Sequence, residues 1–459
     1  MAANICPTPL VIATPSSTSS FSDQSELKRI AKDSYQVGSF KICKTMKEVE
    51  QLHCRITKQG LTHSLSTMTQ LITKCVEMGS LETLNYARKA FDLFKEDNET
   101  TGTLFMYNSL IRGYAFAGIC NEAILLYVQM MDLGILPDKF TFPFLLSACA
   151  KGATYSVGIQ IHGSVISMGL DGDVFIQNSL IHFYAECGET DSARKIFDEM
   201  LNRNVVSWTS LICGYARRDC PQDAIALFFK MVESGVAPNS VTMVCVISAC
   251  AKLQDLELGE RVSSYIGEAG LKVNTLMVNA LVDMYMKCGA NDTAKRLFDE
   301  CLDRNLVLYN TIMSNYVRQG LAREALAILD EMLQQNMRPD RVTMLSAVSA
   351  CSQLGNIIQG KCCHGYFLRN GLECWDSICN AIIDMYMKCG KQEMACKVFD
   401  CMSNKTVVSW NSLIAGFTEN GDVDSAMRIF NEMPETDLVS WNTLIGAFVQ
   451  ESMFNEAIE

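Results

Sequence analysis

Apolar residues recur along the chain at helical spacing, in blocks that each predict two helices. Leu180 and Tyr184 lie on one apolar stripe, and Ala193 and Phe197 stand four residues apart on a second. Gly188 falls between the two stripes, where a glycine can adopt the left-handed conformation that ends a helix. The pattern therefore predicts a helical hairpin.

The hairpins repeat with a period of 101 residues. NALVDMYMKCG at 279–289 returns as NAIIDMYMKCG at 380–390, and the looser copy NSLIHFYAECG occupies 178–188. Each cycle divides into blocks of 35, 35 and 31 residues. The blocks are 104–138, 139–173 and 174–204, then 205–239, 240–274 and 275–305, then 306–340, 341–375 and 376–406. Because one hairpin cannot bury both faces of its helices, we predict an all-α solenoid of stacked hairpins with a concave inner surface.

The flanks of these cycles are less regular. A further 31-residue block spans 407–437, and a partial one spans 438–459, which we interpret as a truncated gene model or a fragment of a longer protein. Residues 40–103 resemble degenerate copies of the second and third blocks. Residues 1–39 begin with a Ser- and Thr-rich stretch without acidic or basic residues before Asp23, which predicts an organelle transit peptide or a disordered tail. Since early arginines are absent, the chloroplast is favoured over the mitochondrion.

Composition narrows the possible partners. The 459 residues carry a net charge of −12, which argues against a protein that grips nucleic acid mainly through phosphates. No apolar run is long enough to cross a membrane. Of the 21 cysteines, Cys149, Cys250 and Cys351 follow the 101-residue period. This predicts small, buried helix residues in a reducing compartment rather than disulfide pairs.

Block lengths and signatures resemble those of pentatricopeptide repeat proteins of plant organelles. VVSWTSLICGYAR at 205–217, DKFTFPFLLSACAK at 138–151 and NALVDMYMKCG mark the three block types, called P, L and S in that family. The 35, 35, 31 alternation is similar to the PLS subclass, over residues 40–459. The resemblance implies a right-handed superhelix of helix-turn-helix repeats that binds single-stranded RNA, about one base to each repeat.

The resemblance also assigns roles to block positions, with the first block toward the RNA 5′ end. The fifth and last residues of P and S blocks are implied to read the base edge, and the second residue to wedge between bases. The reading pairs and their implied bases are Asn108 with Asp138 (U), Asn178 with Asn204 (pyrimidine), Thr209 with Asn239 (A), Asn279 with Asn305 (pyrimidine), Asn310 with Asp340 (U), Asn380 with Thr406 (weak pyrimidine) and Asn411 with Asp437 (U). The wedging residues are Phe105, Phe175, Val206, Leu276, Val307 and Val408.

Three L-block residues in the fifth position, Pro143, Val244 and Leu345, cannot read a base edge, so the implied pattern is U-n-Y-A-n-Y-U-n-y-U. An isolated asparagine near a helix start is commonly an N-cap or turn residue. Recurrence of Asn or Thr at one phase across seven blocks favours base reading instead. Asn offers a donor and an acceptor, whereas ionised Asp only accepts.

Catalytic chemistry is not expected in this chain. A zinc-dependent cytidine deaminase needs His-x-Glu and Pro-Cys-x-x-Cys, and neither motif occurs. Adjacent Cys362 and Cys363 beside His364 cannot readily share one tetrahedral zinc. We therefore expect no enzyme activity, metal, cofactor or small-molecule substrate.

The resemblance favours a site-recognition factor for C-to-U editing of organelle transcripts. Its partners would be single-stranded organelle RNA and proteins of the editing machinery, with a deaminase supplied by missing C-terminal domains or in trans. One alternative is an organellar RNA stability, splicing or translation factor. Another is a protein-binding helical scaffold, although tetratricopeptide scaffolds keep a uniform 34-residue period.

Overall fold

The computed structural model describes residues 40, 43–58, 60, 64–95, 101–218, 220–371, 376–450 and 453. The predicted leader, residues 1–39, lies outside them. The helices are α1 (Met46–Lys58), α2 (Leu65–Met78), α3 (Leu81–Lys95), α4 (Thr101–Phe116), α5 (Cys120–Asp132), α6 (Thr141–Lys151), α7 (Tyr155–Ser167), α8 (Val174–Cys187), α9 (Thr190–Glu199), α10 (Val205–Arg217), α11 (Pro221–Glu233), α12 (Ser240–Leu253), α13 (Leu256–Glu268), α14 (Thr275–Lys287), α15 (Asn291–Glu300), α16 (Leu306–Arg318), α17 (Ala322–Gln334), α18 (Arg341–Leu354), α19 (Ile357–Arg369), α20 (Asp376–Lys388), α21 (Gln392–Cys401), α22 (Val407–Glu419), α23 (Val423–Glu432) and α24 (Leu438–Gln450). The described ranges contain no strand, and none of their helices has the length and apolarity to span a membrane.

The described residues form two compact units, with the boundary between Asn202 and Arg203. Each unit is a stack of helical hairpins. In the first unit, α4 pairs with α5 and packs on α6, the first helix of the following block. In the second unit, α10 pairs with α11 and packs on α12 in the same way. The prediction of an all-α repeat solenoid is confirmed, and its core lies between hairpins as well as within them.

The predicted apolar stripes are buried. Leu180, Ala193 and Phe197 are at most 2% exposed, and each buried Leu or Phe contributes roughly 1.5–3 kcal/mol to folding. Gly188 ends α8 with φ 93°, and its N–H donates to the carbonyls of Tyr184 and Ala185. A residue with a side chain would be strained in this conformation, so the glycine sets where the second helix can begin.

The repeating cysteines follow the prediction in part, since Cys187, Cys288 and Cys389, which also lie 101 residues apart, are only half-buried. Cys149, Cys250 and Cys351 are fully buried, and burial raises the pKa of the Cys250 thiol to about 12, so the thiol stays protonated. However, Cys213 of α10 and Cys245 of α12 form a disulfide, with Cα atoms 5.3 Å apart. The expectation of packing without pairing is therefore wrong here, because adjacent first helices bring these positions together.

Glycine at the twentieth position of each L block allows a close approach of two helices. A Cβ on Gly158 would overlap the ring of Phe183, whereas a Cβ on Gly259 or Gly360 would overlap the thioether end of Met284 or Met385. Phe183 is completely buried. A ring held on all sides cannot move aside, but a methionine side chain can adopt another rotamer.

We therefore expect Gly158→Ala to lower the free energy of unfolding by about 1–3 kcal/mol and Gly259→Ala by less. Gly163→Ala is the matched control, since Gly163 lies in the same helix, is exposed and has open space at its Cβ. That variant should be neutral or slightly stabilised, because alanine favours helix over glycine. Urea unfolding of the three variants measures the order of their stabilities. Equal midpoints for Gly158→Ala and Gly163→Ala would contradict the packing argument.

Candidate nucleic-acid interface

Wherever the structure describes the last residue of a block, that residue caps the first helix of the next block. The side chains of Asn204, Asn239, Asn305, Asp340 and Thr406 accept hydrogen bonds from the backbone N–H two or three residues further on. Asp138 and Asp437 accept the corresponding bonds from Thr141 and Ser440. The N-cap alternative therefore holds for the last position. It does not hold for the fifth position, which lies inside the first helix.

Three reading pairs are joined directly by a hydrogen bond from the amide of the fifth residue to the carboxylate of the last residue. Their Nδ2–O distances are 3.0 Å for Asn108 and Asp138, 3.1 Å to both oxygens for Asn310 and Asp340, and 3.1 Å for Asn411 and Asp437. The stacking of blocks thus places two residues about 30 positions apart side by side. One charged oxygen in each pair also holds the following helix.

The other predicted pairs are arranged differently. The Thr209 hydroxyl lies 2.7 Å from that of Thr242, which donates to Asn239 Oδ1 at 3.0 Å, so Thr242 links the pair. Within the described ranges, no direct bond joins Asn279 to Asn305 or Asn380 to Thr406. Asn178 and Asn204 belong to different units.

The fifth residues are more buried than an open reading groove implies. Asn178, Thr209 and Asn279 are 7–9% exposed, and the others are half-buried. The last residues range from half-buried to exposed. A ligand must therefore reach the fifth residue between the more exposed side chains around it.

Threonine at the third position of the L blocks was not singled out by the sequence argument. Thr141, Thr242 and Thr343 are fully buried, and each bonds both residues of the preceding P block. Their recurrence every 101 residues was the signal. They make the P-to-L junction a closed polar network.

Where this threonine is missing, an amide oxygen stays unsatisfied. The carbonyl oxygens of Asn279, Asn380 and Asn411 are buried without a hydrogen-bond partner. The position facing Asn279 is Leu308, which has no hydroxyl. Leaving a buried acceptor without a hydrogen bond costs about 1–3 kcal/mol.

The six apolar side chains that were predicted to wedge between bases, at the second position of P and S blocks, all project into solvent. The exposed fractions are 54% for Phe105, 73% for Phe175, 53% for Val206, 67% for Leu276, 57% for Val307 and 61% for Val408. The L blocks carry the same feature, which the sequence argument did not assign, at Phe140, Val241 and Val342. Neighbouring exposed apolar residues within one unit are typical of a binding surface.

Cations recur at the thirteenth position, near the carboxyl end of the first helices. They are Lys151, Arg217, Lys252, Lys287, Arg318 and Lys388. Lys151 and Lys252 donate to carbonyls at the end of the preceding first helix, at 3.0 and 2.7 Å from Ala115 O and Ala216 O. Cations are favourable at this end of a helix. Cations therefore recur at one block position of a chain whose net charge is −12.

No cluster of three or more His, Cys, Asp or Glu that could hold a metal ion was found in the part of the chain that the structure describes. Cys362, Cys363 and His364 all lie in α19, where Cys363 is buried and Cys362 exposed.

Two family models match the sequence. The PPR repeat family matches residues 103–151, 203–252, 304–353 and 405–438, and the PPR repeat matches residues 178–205, 276–306, 377–407 and 439–459. These segments together cover more than half of the chain. The matched part is a repeat array rather than a catalytic domain.

Curated relatives agree with this match. A pentatricopeptide repeat-containing protein of Arabidopsis thaliana is 59% identical over 411 residues, which are 89% of this chain and 48% of that protein. Another, named chloroplastic, is 36% identical over 408 residues, covering 82% of this chain and 54% of that protein. A third, named mitochondrial, is 30% identical over 380 residues, covering 82% and 67%. The chain spans about half the length of the first two.

Among solved structures, the fold is similar to that of the pentatricopeptide repeat protein PPR10 in complex with an 18-nucleotide psaJ RNA element. The TM-score is 0.69 at 19% sequence identity, covering 94% of this chain and 74% of that chain. At this level of identity the likeness concerns the fold.

Asp340 gives the capping network a measurable dependence on pH. Partial burial alone would raise the pKa of its carboxyl, but hydrogen bonds from the N–H and hydroxyl of Thr343 and from Asn310 lower that pKa below the ordinary value. The ionised carboxylate therefore adds stability above the unfolded pKa of about 3.9, and this contribution is lost as pH falls toward the lower folded pKa.

We expect wild-type protein to lose stability relative to Asp340→Asn as the pH is lowered through about 4, since the asparagine caps without titrating. Asp303→Asn, in an exposed loop, is the control. Urea midpoints from pH 7 to pH 3 measure the difference. Parallel profiles for wild type and Asp340→Asn would show that the network does not depend on the charge.

Proposed function

The chain belongs to the pentatricopeptide repeat family, and from this premise we propose that it binds single-stranded RNA sequence-specifically, one base to each P or S block. The observation that carries the proposal is a hydrogen-bonded pair made by the fifth residue of a block and its last residue, which caps the next helix. The pair recurs at the same block positions, and exposed apolar side chains flank it. The psaJ RNA bound by PPR10, a protein of similar fold, supports the choice of ligand.

The chemistry of each fifth-and-last-residue pair suits an unpaired base. The two faces of the base would rest on the exposed second residues of neighbouring blocks, as bases stack on apolar and aromatic side chains in other single-strand binders. The edge of the base would meet the amide and carboxylate between those residues. On this basis, the Asn–Asp pairs at Asn108, Asn310 and Asn411 would favour U, and Thr209 with Asn239 would favour A.

The net charge of the chain should affect how strongly RNA affinity depends on salt. With a net charge of −12, base contacts would contribute more than phosphate contacts. Affinity should therefore fall less steeply with salt than for a basic RNA-binding protein of similar site size.

We further propose that the RNA is an organelle transcript and that the chain helps to select a cytidine for C-to-U editing in the chloroplast, with the mitochondrion as the alternative. The 35, 35, 31 block alternation supports the editing role, and relatives named chloroplastic and mitochondrial support an organelle. Deamination would be performed by another part of a longer protein or by a partner.

Replacing Thr209→Asn and Asn239→Asp together should change the preferred base at that block from A to U. The double variant recreates the pair found at Asn310 and Asp340, and Asp and Asn both cap helices well. Competition binding with four RNAs that differ at this base measures the switch. Val244→Ala, at the fifth position of the next L block, is the control and should change no preference.

An unchanged preference in the double variant would show that the reading assignment is wrong. If wild-type protein shows no saturable binding to RNA of the pattern U-n-Y-A-n-Y-U-n-y-U at modest salt, the protein-binding scaffold is favoured instead.

The editing role has its own test. Organelle transcripts of a plant that lacks the protein should retain C at one or a few sites that are U in wild type. Sequencing of transcript cDNA measures this, and reintroduction of the gene should restore editing. Normal editing at all sites would leave the role in RNA stability, splicing or translation.

A further inference from the structure

A cavity of about 910 Å³ opens between α2, α4 and α6 in the first unit. Four phenylalanines line it, Phe105 and Phe116 from α4 and Phe140 and Phe144 from the start of the next block. Phe105, Phe116 and Phe140 are 54%, 66% and 59% exposed. We call this cavity the phenylalanine pocket.

Cations border the aromatic rings. The Arg112 guanidinium carbon lies 5.7 and 5.9 Å from the ring centroids of Phe116 and Phe144. The Lys139 ammonium is 5.4 Å from the Phe140 ring, and that of Lys151 is 5.6 Å from the Phe116 ring. All three cations are exposed. Exposed aromatic rings beside cations form the stacking platforms of single-strand nucleic-acid binders.

Acidic and polar groups complete the wall. Glu77 and Asp138 are the carboxylates of the lining, and Asp138 accepts hydrogen bonds from Asn108 and Thr141. The pocket is thus continuous with the first reading pair. Its other side is formed by α2, which precedes that pair in the chain.

The solenoid itself does not require these phenylalanines. The equivalent positions one and two cycles later are Val206 and Val307 for Phe105, Arg217 and Arg318 for Phe116, Val241 and Val342 for Phe140, and Cys245 and Ser346 for Phe144. The later cycles build the same helix junction without an aromatic ring. Four rings, three of them exposed, converge here and not at the equivalent positions of the next two cycles, so packing does not account for them.

We propose that the phenylalanine pocket anchors the 5′ part of the bound RNA by stacking, and that it holds the base read by Asn108 and Asp138 together with the base immediately 5′ of it. This inference rests on the proposed RNA binding. The second base would be held without regard to its identity, because every base presents a π-face. The cations would offset the charge of the adjoining phosphates.

The test uses an RNA of the proposed pattern with 2-aminopurine immediately 5′ of the first U. Wild-type protein should quench the probe, because stacking on a ring changes its fluorescence. Phe116→Leu keeps an apolar side chain but removes the ring, and should abolish most of the quenching and weaken binding by about tenfold or more. Phe116→Trp should retain both effects.

Leu93→Ala is the matched control, since Leu93 is an apolar residue of the same unit that is 75% exposed and does not line the pocket. It should bind as wild type does. With an RNA shortened to begin at the first U, the difference between Phe116→Leu and wild type should become smaller.

Two results overturn the inference and are distinguishable. If both RNAs bind with the expected base preferences but wild type leaves the probe unquenched, the pocket is not a stacking site and the proposed function stands. If neither RNA binds saturably, the proposed function fails together with the inference.

Discussion

The cap at the described block boundaries is the interaction on which the array depends. A helix begins with backbone N–H groups that have no partner inside the helix, and the terminal side chain of the preceding block accepts from them. This bond sets where each first helix starts. It therefore places the fifth residue inside the helix near the cap of the following block, and leaves the second residue in solvent. The same geometry recurs at Asn305, Asp340 and Asp437 although the residues differ.

Features within one hairpin could be predicted from the sequence, because buried positions and helix ends are marked by apolar residues and glycines at regular spacing. The stripe through Leu180 and the left-handed glycine at Gly188 are examples. Contacts between hairpins could be predicted only in part. The bridge made by Thr242 and the disulfide between Cys213 and Cys245 depend on how neighbouring first helices pack, which periodicity does not report. The reading and wedging roles themselves remain predictions.

One contact between a P block and the next L block shows that the stack of hairpins tolerates different side chains at the same place. The ninth residue of a P block faces the sixth residue of the next L block, and successive cycles fill this place with Arg112 and Phe144, with a disulfide, and with two serines 3.1 Å apart. A cation on a ring, a covalent bond and a weak polar contact all fit one backbone arrangement. Because each block of a solenoid touches only its neighbours, such differences remain local.

Under the proposed base reading, the block-terminal residue both caps a helix and contacts a base, and this limits how the chain can diversify. Good caps come from a short list, chiefly Asn, Asp, Ser and Thr, and most other side chains would weaken the start of the next helix. Any new base specificity acquired at the last position must therefore use one of these few capping residues. The fifth position does not cap a helix, so under the proposed base reading we expect changes of target to occur there and at the second position before they occur at block ends.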